Sequence, residues 1–472
     1  MTRKRLAKSD KPRQSLWSKA LSSAASTARL TQGPIGEGLL RLTLPMILGI
    51  SSSLLAGLAE TYMLGTLGSE ELAALGFTFP VTAALMSITL GISIGLSSVL
   101  AREVGAGDPQ QMQRTTTGGL LLAVVVMILI TGVGLVTLTP LFSYLGANAS
   151  TLPLVIDYMQ WWYVSLVFMA IPSVGANALR ATGDARVSGM LMVAGSALQV
   201  ILSPIFIFGW LGFDALGMMG AALGNLVARG LIAVLTIYLL GTRYQLIRFA
   251  GLTVPFLLSA WQRILTVGIP ATITNLIGPL SSGLIIALLA GYGQEAVAGF
   301  AIASRIEALF VIPLFALSAS IGPFVGQNWG ANALQRADYA MRLSFQWSLL
   351  WGIIVAILLA LTAHHLVSYF DSNPLVLSTA EHYLFILPIS YGAWGVIMMT
   401  SAIFNALGYP IRSTFMSFIR MLVIYVPLAI AFNHYFGMLG IFAAAATANF
   451  TVALIGFFWN RKTFKPLVAA VD

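Results

Sequence analysis

The sequence predicts an all-α integral membrane protein: twelve transmembrane helices in two six-helix lobes, related by a pseudo-twofold axis along the membrane normal. Three observations carry that expectation. Hydrophobic residues make up 58% of the chain and charged residues only 9%, whereas a water-soluble domain carries about 25% charged residues to wet its surface. The chain holds twelve apolar runs, and about 20 apolar residues of helix are enough to cross a hydrocarbon core. The second half then repeats the first at a constant offset.

Taken in order, the apolar runs lie near 42–67, 73–101, 115–141, 153–179, 188–210 and 216–240, then near 264–290, 297–325, 340–367, 381–405, 412–434 and 436–460. They are bounded by Gly, Pro and charge. Pro and Gly also fall inside them, which membrane helices tolerate when neighbours satisfy the freed backbone groups. The runs use up most of the length, so no independent soluble domain fits. The expected organisation is a basic cytoplasmic tail over 1–38, an N-lobe over 39–240, a cytoplasmic linker over 241–263, a C-lobe over 264–460 and a cytoplasmic C-terminal tail over 461–472.

The loops support the count. Those around 68–72, 142–152, 211–215, 291–296, 368–380 and 435 contain no Lys or Arg and hold Glu70, Glu71, Asp214, Glu295 and Asp371. The opposite side takes the N-terminal stretch up to Arg41, where Lys and Arg are densest, then Arg102, Arg114, Arg180, Arg186, Arg243, Arg248, Arg263, Arg336, Arg342, Arg412, Arg461, Lys462 and Lys465. Lys and Arg are retained on the cytoplasmic side, so both termini are expected inside. A miscounted span would break the alternation. The same distribution explains the net charge of +9 as a topology signal, and argues against a nucleic-acid partner. With no Cys there is no disulfide framework or thiol site, and the four His form no metal-binding spacing with a carboxylate cluster. The basic tail has no apolar core before Leu39, unlike a cleaved signal peptide.

Sliding the chain along itself until Pro45 falls on Pro270 also brings Glu70 onto Glu295, Gly105-Ala106 onto Gly330-Ala331 and Gly183 onto Gly408. After a further small slip, Gly217-Met218-Met219-Gly220 meets Gly437-Met438-Leu439-Gly440. Six helices per half return the chain to the side it entered from, so the repeat is parallel. In transporters of this plan the substrate site lies between repeats near mid-membrane, and rocking of the lobes gives alternating access.

Glu60 is the carboxylate set furthest inside a span in the first half, about two turns from the outer end of its helix. It lies on a stripe of small and polar residues, Gly49, Ser53, Gly57, Glu60 and Leu64, which can line a cavity or let a neighbouring helix pack closely. An ionised carboxylate in hydrocarbon is costly, so Glu60 is expected to face the bundle interior or water, where desolvation favours its neutral form. A group that takes a proton on one side and releases it on the other needs that property; the alternative is a residue near the outer interface that only bonds a neighbour. Thr61, Asn177, Gln199, Ser203 and Asn225 offer neutral donors and acceptors in the same half, for Glu60, for substrate or for helix packing. Asn275, in a polar stripe of the seventh helix, is a further cavity candidate, and Pro45 a candidate for helix bending. Arg229, Arg305, Glu307 and Arg420 are read as structural or gating charges, with Arg420 a partner for Glu307. Glu60's repeat partner is Ile285, so coupling is expected in the N-lobe. No Walker A phosphate loop is present, and no nucleophile–base pair suggests an enzyme.

Several motifs make the chain recognisable. Glu60-Thr61-Tyr62-Met63-Leu64-Gly65-Thr66-Leu67-Gly68 closes the first helix, Gly326-Gln327-Asn328-Trp329-Gly330-Ala331 closes the eighth, and Leu179-Arg180-Ala181-Thr182-Gly183-Asp184 closes the fourth. Over essentially residues 35–460 the chain resembles the multidrug and toxic compound extrusion (MATE) family, and looks closest to the branch typified by DNA-damage-inducible protein F. That resemblance implies a bacterial inner-membrane antiporter that exports cationic or amphipathic organic compounds against inward H⁺ flow. It needs no cofactor, and nothing demands more than a monomer. In the family the acid of the first helix couples the cation, a role that carries over to Glu60. Gln199, Ser203 and Pro204 stand where family members often have an Asn and an Asp-Pro four residues apart, so the second acid of that arrangement is missing, which weakens a Na⁺ site. The alternatives are a Na⁺-coupled exporter and a lipid-linked sugar flippase. Only three in-span cations, scattered over three helices, disfavour the flippase. The absence of a pore-lining charge ring disfavours a channel.

Overall fold

The computed structural model describes residues 29–468, so most of the expected basic tail (residues 1–28) and the stretch 469–472 lie outside the described residues. Among the described residues the protein is all helical. Eleven helices are long and apolar enough to span a membrane, or twelve when a pair bent by 47° counts as one span. We number them α1 (Ile35–Gly65), α2 (Ser69–Ala106), α3 (Pro109–Tyr144), α4 (Thr151–Ala181), α5 (Ala185–Phe208), α6 (Gly217–Arg243), α7 (Val254–Ala290), α8 (Gln294–Phe310 continued by Ile312–Gly330), α9 (Leu334–Ser368), α10 (Pro374–Leu407), α11 (Pro410–Phe436) and α12 (Met438–Phe464). Helix α1 starts at Ile35 and α7 at Val254, both earlier than the apolar runs alone suggest, because an amphipathic first turn continues each helix beyond its purely apolar stretch.

Local chemistry sets the helix ends. Asp108 caps α3, accepting from the Gln111 backbone N–H at 3.0 Å, with Pro109 in the first turn, where its missing N–H costs nothing. Asp184 caps α5 by accepting from Val187 N–H at 3.2 Å. Between helices, repeat-related residues take the same backbone. Gly183 and Gly408 have φ of 92° and 82°, while Gly107 and its partner Asn332 have φ of 75° and 56°. Gly and Asn are the residues that enter this left-handed region at least cost.

The first six helices pack around one another through α1 with α5, α4 with α5, and α2, α4 and α6, and the last six form a corresponding bundle through α8, α9, α10 and α12. Large apolar side chains such as Val136, Leu361 and Ile411 point outward, as expected where the surrounding medium is lipid. The halves meet where α2 crosses α7 and α8, and α1 crosses α8. Side-chain hydrogen bonds between halves, among the described residues, gather at the Arg-rich end. There Arg102 donates to the Ala406 carbonyl at 2.9 Å, Ser98 to the Asn405 carbonyl, and Gln327 Nε2 to the Ala181 carbonyl at 2.6 Å. The closest backbone approach there follows the repeat. A Cβ on Gly105 would fall on the Gln327 carbonyl, and a Cβ on Gly330 on the Arg102 carbonyl. Gly105 with Gly330, and Arg102 with Gln327, are each related by the shift that carries Pro45 onto Pro270.

Candidate functional site: a carboxylate cavity in the N-lobe

A cavity of about 520 Å³ opens within the first six helices, lined from α1, α2, α4, α5 and α6. Its wall on α1 is the stripe of small residues that includes Ser53 and Gly57, which leaves space beside Glu60. No atom lies within 4 Å of where a Gly57 Cβ would sit. Helix α1 runs unbroken through Pro45, and α5 crosses it there so closely that a Cβ on Gly189 would lie 2.5 Å from the Pro45 carbonyl.

Glu60 is buried, and three neutral donors from three other helices hold it. Gln199 Nε2 on α5 donates to Oε2 at 2.7 Å. Asn225 Nδ2 on α6 donates to Oε1 at 2.7 Å, and Tyr158 Oη on α4 donates to Oε1 at 3.2 Å. Among the described residues no Lys, Arg or His forms an ion pair with Glu60. Asn225 Oδ1 is buried without a hydrogen-bond partner.

Arg229 reaches the cavity from α6. Its guanidinium donates to Ser165 Oγ at 2.6 Å and lies over the Trp162 ring at 5.4 Å from the centroid, a distance at which the ring quadrupole attracts a cation. Arg180 enters from the end of α4, donating to Asn177 Oδ1 at 2.5 Å and Ser188 Oγ at 3.2 Å. Neither guanidinium forms an ion pair with a carboxylate among the described residues. The sequence places Arg180 among loop cations at the membrane edge. In the structure it is 9% exposed and lines the cavity. The signal was its spacing: Asn177 and Arg180 are three apart on one helix, so they share a face.

Of the other candidates, Ser53, Gly57, Thr61 and Asn177 line this cavity together with Gln199 and Asn225. Ser203 does not. It is buried where α5 meets α6, so close that a Cβ on Gly224 would lie 2.9 Å from its Cα. Asn275 donates to the Ala271 carbonyl of its own helix at 2.9 Å, Arg305 is exposed on α8, and neither lines a described cavity. The expected Glu307–Arg420 pair is corrected. Glu307 accepts from Tyr383 Oη at 2.5 Å, whereas Arg420 donates to Asn449 Oδ1 at 3.2 Å. Tyr158, Trp162 and Tyr383 were missed, because an aromatic residue in a membrane helix carries no sign of which face it occupies.

Two repeated six-helix lobes, the first enclosing a cavity with a buried carboxylate on its wall, define a membrane transporter. Comparison with known proteins supplies the family. The MatE family model matches residues 45–205 and again 270–431, once in each half, and the chain belongs to that family. It is 34% identical over 440 residues to the FAD transporter of Shewanella oneidensis, covering 93% of this chain and 97% of that one. It is 24% identical over 424 residues to the multidrug export protein MepA of Staphylococcus aureus, covering 90% and 93%. Among solved structures it superposes on the bent form of the Vibrio cholerae MATE transporter VcmN with a TM-score of 0.85 at 27% identity, covering 95% of this chain and 99% of that one. An outward-facing multidrug resistance MATE transporter matches with a TM-score of 0.88 at 27% identity over 94% and 99%. These relatives are named transporters, and the chain is not an enzyme.

Proposed function

We propose that the protein is a secondary active exporter of amphipathic organic compounds, driven by inward H⁺ flow, with Glu60 as the group that exchanges H⁺ against substrate. The observation that carries this reading is a buried carboxylate held by three neutral donors on the wall of a cavity wide enough for an organic molecule. Neutral donors leave the carboxyl free to change charge, because no fixed partner cation demands that it stay ionised. A protonated Glu60 needs an acceptor, and a turn of the Asn225 amide presents its unpartnered Oδ1. The cavity's formal charge is +1 with Glu60 ionised against Arg180 and Arg229, and +2 once it is protonated. Protonation therefore drives out a cationic group bound beside Glu60, which is the sense antiport requires. Rocking of the lobes that parts the contacts at the Arg-rich end, with α1 bending at Pro45, then exposes the cavity to alternate sides.

The two guanidiniums favour a second reading of the substrate. Arg180 and Arg229 have no carboxylate partner within the cavity, so they suit an anionic group, while the exposed Phe79 offers a face for a planar ring. The S. oneidensis relative is named for FAD, whose planar ring systems are joined through phosphates.

The remaining features belong to the same proposal. They are H⁺ rather than Na⁺ as the coupling ion, no bound cofactor, a monomer in a bacterial inner membrane, and both termini cytoplasmic. Placement in the branch typified by DNA-damage-inducible protein F belongs here too.

The test is efflux of ethidium and, separately, of FAD from energised vesicles under an imposed pH gradient or an imposed Na⁺ gradient, comparing wild type with Glu60→Gln. The proposal expects efflux driven by pH alone and lost in the variant. Wild-type efflux by a correctly inserted Glu60→Gln protein refutes it, and the better-exported compound decides the charge of the substrate.

A further inference from the structure

The C-lobe contains a cavity of about 260 Å³ bounded by α7, α8, α10, α11 and α12. It is the repeat image of the Glu60 cavity. Under the shift that carries Pro45 onto Pro270, Ser53 becomes Gly278 and Gly57 becomes Ser282, and each residue lines the cavity of its own lobe. Tyr158, which bonds Glu60, becomes Tyr383, which bonds Glu307. The carboxylate has moved. Glu60 becomes Ile285, and Glu307 corresponds to Thr82, so the acid of the C-lobe stands on the second helix of its repeat instead of the first. Both replaced positions also line the cavities.

We infer that Glu307 is a second proton-binding carboxyl, in a C-lobe site that keeps the architecture of the Glu60 site with its acid transposed from the first helix of the repeat to the second. The inference rests on the reading of Glu60 as a proton-exchanging group. The charged and titratable groups facing Glu307 come from two of the helices around the cavity, Tyr383 and Tyr391 from α10, and Arg420 and Tyr425 from α11; α7 and α12 line it with neutral residues. Among the described residues none of them forms an ion pair with it. The Tyr391 hydroxyl is buried against Glu307 and has no other hydrogen-bond partner. It is thus free to accept from a protonated Glu307 while Tyr383 continues to donate.

Three departures from regular helix converge on this carboxyl. The bend in α8 falls at Val311, one turn after Glu307. A 3₁₀ stretch, Leu387–Ser390, lies between Tyr383 and Tyr391. A π-helical stretch, Ile419–Tyr425, carries Arg420 and Tyr425. Such breaks are places where a helix changes shape at small cost, and π segments recur at functional sites. The corresponding α2 of the N-lobe runs unbroken over 38 residues. Proton binding at Glu307 removes the charge that balances Arg420 in the cavity, at the point where α8, α10 and α11 are each able to bend.

The experiment is infrared difference spectroscopy of the purified full-length protein in lipid, titrated with acid. It reads the carbonyl stretch that appears when a buried carboxyl gains a proton. Wild type is expected to show two such bands. Glu60→Gln removes one and Glu307→Gln removes the other, while Tyr383→Phe moves the second band by deleting its hydrogen bond. If Glu307→Gln leaves both bands, the inference is overturned, whatever Glu60 does. If instead Glu60→Gln leaves both bands, the proposed coupling role of Glu60 fails. Should Glu307→Gln not fold, an unmoved second band in Tyr383→Phe overturns the inference equally. A transport measurement checks the consequence. With no membrane potential, a tenfold proton gradient sustains a substrate gradient of about 100-fold with two protons per cycle and about tenfold with one. Glu307→Gln is expected to lower the limit from the first value to the second, and a limit of about tenfold in wild type would overturn the inference.

Discussion

Gly330 is the position where the smallest perturbation has the most to say about how the lobes move. Adding one methyl group, Gly330→Ala, places a Cβ on the Arg102 carbonyl oxygen, with the Arg102 carbonyl carbon at 2.9 Å and Cα at 3.0 Å. All three are backbone atoms, so no side-chain rotation relieves the clash. Ordinary carbon contacts lie at about 3.5–4.0 Å, so α2 and α8 must separate by roughly 1 Å. Overpacking of this kind costs about 1–3 kcal/mol. If the alternate state of the transporter parts the lobes here, only the closed arrangement carries that cost. Its population relative to the open one then falls about 5- to 150-fold. The protein contains no Cys, so Ala106→Cys and Ala331→Cys, at exposed repeat-related positions beside the contact, accept a pair of spin labels without background. The expected result is a shift of the distance distribution to longer separations in Gly330→Ala, and a matching shift in Gly105→Ala. Because one separation relieves both clashes, the double variant should lose less than the sum of the two. A distribution identical to wild type, with unchanged transport, would refute the idea that this contact is the moving seal.

Three further outcomes test the N-lobe site. Glu60→Gln should abolish pH-driven efflux while leaving helicity and thermal stability near wild type, as circular dichroism will show. Gln199→Leu removes the one hydrogen bond to Glu60 Oε2. A bond to a charged group is worth about 1.5–3 kcal/mol and each pH unit about 1.36 kcal/mol, so the pH profile of transport should be displaced by about 1–2 units; an unmoved profile counts against Glu60 as the titrating group. Arg229→Met removes one of the two cations that line the cavity, and is expected to lower FAD efflux and raise ethidium efflux if an anionic group binds there. Equal losses for both compounds would make Arg229 a packing residue held by Ser165 and Trp162.

How much of this was legible depends on what each feature imprints on a sequence. Span count and repeat were legible because they rest on composition and periodicity over many residues. Gly105 and Gly330, matched by the repeat, proved to be the two halves of one backbone contact. Glu60 was legible because a carboxylate in a membrane span is costly and so needs a function or a partner. Two of its three donors, Gln199 and Asn225, were named because polar residues are rare in spans. Tyr158 was not, because tyrosine is common there and only geometry distinguishes a phenol aimed at an acid from one aimed at lipid. Arg180 was misplaced because loop and buried cations look alike near a helix end. Ser203 was an error of the opposite kind: its hydroxyl lies at a tight α5–α6 crossing, where a small side chain is needed and no cavity opens.

The two lobes also constrain each other as evidence. Were the C-lobe cavity only a relic of duplication, nothing would keep a tyrosine at the position equivalent to Tyr158, and a half-buried carboxylate inside a membrane span would be lost, since an ionised acid there costs several kcal/mol. Yet Tyr383 stands 2.5 Å from Glu307, and after the small slip in the repeat Arg229 corresponds to Asn449, which accepts the hydrogen bond of Arg420. Each lobe therefore keeps one acid, one tyrosine and at least one guanidinium around a cavity, with the acid and the guanidinium carried by different helices in the two halves. Shared parts at transposed positions fit selection for the chemistry better than descent of the fold alone. In the N-lobe the acid sits on α1, which also forms part of the interface with α8; in the C-lobe it sits one turn before the bend in α8 itself. A charge change in either lobe thus reaches the helices that hold the halves together, α1 directly and α8 through its bend.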